Sequence, residues 1–143
     1  MNNFIVKTDY PASIHAEILT SLTRDDDSVV EICEDRAISE MRSYMASRYD
    51  CDAIFSATGD ARHPLVLMMA IDITVYHIFC IHNPMKLSQI RKDRYDRAIE
   101  WLKAVSKGQI TIEGAPALSV SDDTDKSAPM FNMRSNPRRN NRY

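Results

Sequence analysis

Glycine is scarce, with three in 143 residues. So few leave no glycine-rich turn to cradle a phosphate, which excludes the P-loop and dinucleotide-binding patterns. Cysteine is equally rare: Cys33, Cys51 and Cys80 are odd in number and show no C-x-x-C spacing. That excludes a disulfide framework and a structural zinc site, and a reducing compartment is expected. The four histidines (His15, His63, His77, His82) lack metal-ligand spacing, since His77 and His82 are five apart and face different ways on a helix. Asp25-Asp26-Asp27 lacks the alternation and the glycine of a calcium loop and reads as a solvated turn that favours the dipole of the next helix. The opening MNNFIVKTDYP has no basic segment leading into an apolar one, so no secretory signal is expected. Nothing in the chain calls for a cofactor or a metal, and no catalytic constellation stands out.

What is there is one dominant apolar run, Leu65 to Ile81, interrupted only by Asp72, Thr74 and His77. A helix that is apolar on all sides is buried on all sides, in a core or in a membrane. At 17 residues the run sits at the lower limit for crossing a bilayer. Asp72 near its middle would cost at least ~2.5 kcal/mol in lipid. It is therefore read as the core helix of a soluble domain, with no membrane contact. The bulk composition, 44% hydrophobic and 27% charged, fits one small globular domain.

The elements around it follow from periodicity and caps. Phe4, Ile5 and Val6 give a short extended start. Thr8 or Asp9 can cap a first helix with Pro11 in its first turn and Ile14, Ile18, Leu19 and Leu22 as its apolar stripe. Ser28 and Glu31 form a capping box for a second helix reaching about Tyr49. Val30, Cys33, Ala37, Ile38, Met41, Tyr44 and Met45 share one arc of that helix, and Arg48 falls within it. Residues 50–62 read as a loop, after which Pro64 opens the central helix. Asn83-Pro84 ends it and starts an antiparallel neighbour that runs to about Lys107, where Gly108 suits the C′ position. The fold class is mainly α: a bundle of about four helices with extended N- and C-terminal arms.

Two features invite a structural or functional reading. A cation on the buried arc needs a partner, so Arg48 is expected to pair with Asp72, with Tyr76 one turn on as a further candidate for the same carboxylate. Past the last helix, Gln109 to Glu113 alternates, with Ile110 and Ile112 on one side of a short strand or extended arm. We divide the chain into a helical domain, 1–114, and an extended low-complexity arm, 115–143. The first carries 13 basic and 17 acidic residues; the second carries 5 and 3, with four arginines between Arg134 and Tyr143. Ile110, Ile112, Phe131, Arg134, Arg138, Arg139, Arg142 and Tyr143 are the candidate partner-binding residues of this arm. A basic tail of this kind admits an alternative reading, a small helical nucleic-acid-binding or regulatory adaptor.

Three blocks taken in order carry a resemblance: residues 21–49 ending in Y-x-x-x-R-Y, residues 64–80 with D-x-x-x-Y (Asp72, Tyr76), and residues 91–112 with R-Y-x-x-A-x-x-W-L closing in Lys-Gly. Together they resemble the Mu-type small neck protein of tailed phages and prophages, in the head–tail connector (head-completion adaptor) class. The similarity spans about residues 8–112, and it leaves the 50–62 loop and the tail unmatched. It implies a structural, non-enzymatic subunit of a homo-oligomeric ring, dodecameric in the class, located in the virion neck after assembly in the host cytoplasm. It also implies portal and tail or other neck proteins as partners, with genomic DNA passing through the lumen without sequence-specific contact. The matched positions Arg48, Tyr49, Asp72, Tyr76, Tyr95, Trp101 and Leu102 would be scaffold.

Overall fold

The computed structural model describes residues 3–119. Its helices are α1 (Ala16–Thr23), α2 (Asp27–Met45), α3 (Cys51–Ser56), α4 (Pro64–His82) and α5 (Gln89–Ser106), with 3-10 turns at Lys7–Ala12, Gly59–Ala61 and Pro84–Lys86. No strand forms among the described residues, where a single antiparallel bridge joins Tyr49 to Ala117. The mainly α class holds.

Helix α4 is the axis of the bundle. Ten of its residues are buried, including the unbroken run Ile71 to Val75. It packs against α2, α5 and α1. His63 caps it, with Nδ1 accepting from the Val66 amide, and Pro64 occupies the first turn, where a missing N–H costs nothing. The pairs Asp72–Arg97 and Tyr76–Tyr95 climb α4 as they descend α5, so the two helices are antiparallel, as the short connection requires. On α2 the expected arc is buried except for half-exposed Tyr44, and α5 contributes Ala98, Leu102 and Val105.

Several boundaries differ from expectation. Arg24 and Asp25 both take left-handed φ (52° and 57°), a sharp turn that makes Asp26 the cap of α2. Asp26 accepts from the Ser28 amide at 3.0 Å, so Ser28 lies inside the helix, not at its cap. The first helix is split: the Pro11 segment is a 3-10 turn that buries Tyr10, and α1 starts afresh at Ala16 with Ile18 exposed. The 50–62 loop contains α3, capped by Asp50 accepting from the Ala53 amide. The last helix begins at Gln89 behind a Ser88 cap. Its end follows the sequence: Gly108 (φ 75°) donates to the Val105 carbonyl and Gln109 to that of Ala104, a Schellman closure.

Both described ends return to the body. Phe4 and Ile5 are buried, and the Phe4 ring stands edge-on to Phe55 at 5.1 Å. Ile112 is buried while Ile110 stays exposed, so the two do not share a side, because a turn rather than a strand carries them. The following residues lie along the α2–α3 junction. There Asp50 donates its amide to the Pro116 carbonyl, and Leu118 donates to that of Arg48.

Candidate functional site

Asp72 lies in the third turn of α4 on the side facing α5, with its side chain only 4% exposed. Its partner is Arg97, whose Nη2 donates to Oδ2 at 2.7 Å, with Arg94 at 4.0 Å and the Ser13 hydroxyl at 3.4 Å. The expected Arg48–Asp72 pair is thus overturned. Arg48 lies one turn beyond the end of α2, exposed, with its guanidinium over Gly108. The helical arc drawn through residue 48 fails because α2 has already ended at Met45. Nor does Tyr76 serve the carboxylate: its ring stacks on Tyr95, centroids 3.9 Å apart and 12° from parallel.

Arg91, Arg94 and Arg97 recur every third residue on α5, and all reach toward Asp72 or the Ser13 corner. Arg91 donates to the Ser13 carbonyl at 2.8 Å. Burial, and then the neighbouring positive charge of Arg94, depress its pKa below the usual guanidinium value. Arg94 and Arg97 border an open groove of about 510 Å³ whose floor is Ala12, Pro64, Leu67, Met68 and Ile71. Asp9 also lines it, but Arg62 holds that carboxylate through two bonds, at 2.6 and 3.1 Å. Burial pushes the Asp9 pKa up, yet the bonds from Arg62 and the Val6 amide leave it below the normal range. Arg62 also donates to the Phe4 carbonyl, so one guanidinium fastens the N-terminal segment.

A second polar group lies on the other side of that segment. Tyr10 donates its hydroxyl to Glu34 at 2.5 Å, in the wall of a cleft of about 190 Å³ between α1 and α2. Burial raises the Glu34 carboxyl to about 7 against the opposing pull of the tyrosine bond. A third group joins α2, α4 and α5: Glu40 accepts from Tyr95 at 3.1 Å and lies 3.3 Å from His77 Nε2. Among the described residues no group of three metal-ligating side chains converges.

In the C-terminal return, the Tyr49 hydroxyl accepts from the Ile112 amide at 2.8 Å in a buried setting, and His63 Nε2 lies 2.8 Å from the Glu113 carbonyl. Phe131, Arg134, Arg138, Arg139, Arg142 and Tyr143 lie outside the described residues. Glu34, Glu40, Arg62, Arg94 and Arg97 were not singled out from sequence. For Glu34 a signal existed, because position 34 falls within the arc of Val30, Cys33, Ala37 and Ile38. The arginines gave none, since their partners are far away in sequence.

Large apolar side chains also stand unburied at the α4–α5 corner: Ile81 (46% exposed), Met85 (93%) and Ile90 (66%).

Compared with known families, residues 5–129 match the one described as Bacteriophage Mu, Gp36. The chain belongs to that family. The match includes all the described helices and continues past residue 114, through the acidic stretch 122–125. It makes this Gp36-family chain a phage protein. No curated protein and no solved structure gives a match to it.

Proposed function

We propose that this Gp36-family protein is a structural component of the virion, a neck adaptor whose ring of identical subunits joins the portal to the tail and extends the DNA channel. The observation that carries this reading is the family match over residues 5–129, together with the three ordered blocks that resemble small neck proteins. The construction of the molecule agrees with it. Its polar clusters (Asp72–Arg97, Glu40–Tyr95, Asp9–Arg62) each tie one element to another, which is scaffold work. A ring subunit needs side contacts, and the exposed Ile81, Met85 and Ile90 corner offers apolar surface for one. The described body carries an excess of acid, 17 acidic to 13 basic residues, which would repel phosphates and let a duplex slide past a lumen.

Deleting the gene tests the assignment: full or leaking heads with no joined tails are expected, and normal virions would refute it. Image reconstruction of the neck should place a ring of this chain below the portal. A lumen lined mainly by lysine and arginine would remove the sliding argument while leaving the adaptor role.

A further inference from the structure

The cleft between the N-terminal turn, α1 and α2 is lined by four carboxylates, Asp25, Asp27, Glu31 and Glu34, and by one amine, Lys7. Asp27 already holds Lys7 at 2.7 Å. Among the described residues Asp25 and Glu31 have no ion-pair partner. The walls are apolar, formed by Ile5, Leu19 and Val30, all of them buried. Glu34 is the most buried of the four acids, 8% exposed. Tyr10 donates to its Oε1, and no described group donates to its Oε2. No fully enclosed polar side-chain atom among the described residues lacks a partner, so Oε2 opens on the cleft. It is a nearly buried acceptor with space before it.

We propose that this cleft binds a primary alkylammonium group, the stem and head of a lysine side chain, with Glu34 Oε2 accepting from the ammonium. Size supplies the first argument. The cleft of about 190 Å³ holds about six water-sized groups at roughly 30 Å³ each. A lysine side chain, a four-carbon stem ending in an ammonium, is of that size. Wall chemistry supplies the second. Ile5, Leu19 and Val30 suit methylenes, and an ammonium that leaves water there bonds a carboxylate more strongly. Charge supplies the third. The groups that act on Glu34 from the elements around it are acidic: Glu31 and Asp35 on α2, and Asp9 on the N-terminal turn. The lining holds no free cation of its own, so an ionised Glu34 takes its counter-ion from a ligand. Burial pushes the Glu34 carboxyl up to about 7, so an arriving ammonium displaces its proton to solvent near neutral pH. A metal ion would lack ligands, because no group of three metal-ligating side chains converges among the described residues. A free alkylamine carries the same chemistry as a lysine of a protein, and the test separates these two sources. The inference does not rest on the neck assignment.

The test titrates the full chain with n-butylammonium chloride and, separately, with a blocked lysine, N-acetyl-lysine methylamide. Methyl NMR signals of Ile5, Leu19 and Val30 are followed, with 1-butanol as the uncharged control. Saturable shifts with both amines are expected and make a protein lysine the ligand. Shifts with butylammonium alone keep the chemistry and make the ligand a free amine. E34Q should weaken binding about tenfold, the weight of one charge-assisted bond, and E31Q about threefold, as befits a half-exposed charge. In the parent, affinity should rise about ninefold between about pH 6 and 8, following the ionised fraction of a carboxyl at about 7, and stay flat in E34Q. No shift with either amine overturns the proposal. So do equal shifts with 1-butanol, which would make the cleft merely apolar, or amine binding unchanged in E34Q.

Discussion

At the level of single residues, the charged side chains buried in this bundle act as ties between elements, and each can be tested alone. Glu34 is held in its protonated form well above the pH at which an exposed glutamate ionises. The native state therefore binds more protons than the unfolded chain between about pH 4.5 and 7, and stability must fall as pH rises through that window. E34Q keeps an acceptor for Tyr10 and removes the titration. Its thermal midpoint should be flat across the window, with a gain over the parent of roughly 1–2 kcal/mol at pH 8, less than the full shift implies because the carboxyl borders an open cleft. Asp72 obeys the opposite logic. R97A leaves a nearly buried carboxylate with only the Ser13 hydroxyl at 3.4 Å and Arg94 at 4.0 Å, and denaturant unfolding should register a loss of about 2 kcal/mol. R48A should cost less than about 0.5 kcal/mol, the usual surface value, because Arg48 is exposed and has no part in that pair. The need of Asp72 for a cation was legible in the sequence. Its identity was not, because a helix stripe extrapolated one turn too far put Arg48 in the core, while Arg97, 25 residues away, carried no local mark.

At the level of elements, α4 was plain from sequence because an apolar run bounded by Pro64 and Asn83-Pro84 has few other solutions. Its burial is also its main energetic contribution: I73A should lower stability by about 3 kcal/mol in chemical denaturation, a transfer loss plus a cavity in a packed bundle. Short elements were harder to read. Helix α3 is six residues long, too short to show a period, and the split of the first helix follows from the demand to bury Tyr10 rather than from any breaker in its stripe. The C-terminal arm was misread for a related reason. Alternation at Ile110 and Ile112 suggested a strand seeking an edge, but the segment turns and docks on its own body through Tyr49. Y49F removes the hydroxyl that accepts from the Ile112 amide. Hydrogen exchange should accelerate across 112–118 with a loss of about 1 kcal/mol, while the α2–α4–α5 core keeps its protection.

At the level of the whole molecule, the exposed α4–α5 corner separates folding from assembly. M85D combined with I90D alters side chains that the monomer leaves in water, so melting should be unchanged. If that corner is a subunit contact, the same variant should fail to form rings by light scattering or electron microscopy. The arrangement of chain ends gives the protein a polarity. Phe4 meets Phe55, Ala117 pairs with Tyr49 and Pro116 accepts from Asp50, so both described ends are anchored on α3 and the two residues before it. The Met85 corner lies at the other end of α4, a helix of about 28 Å. A label beside Phe4 thus reports from the α3 pole, whereas a fluorophore or short epitope spliced in at Met85 reports from the opposite one. Placed on an assembled particle, that pair of labels would reveal which way up each subunit stands.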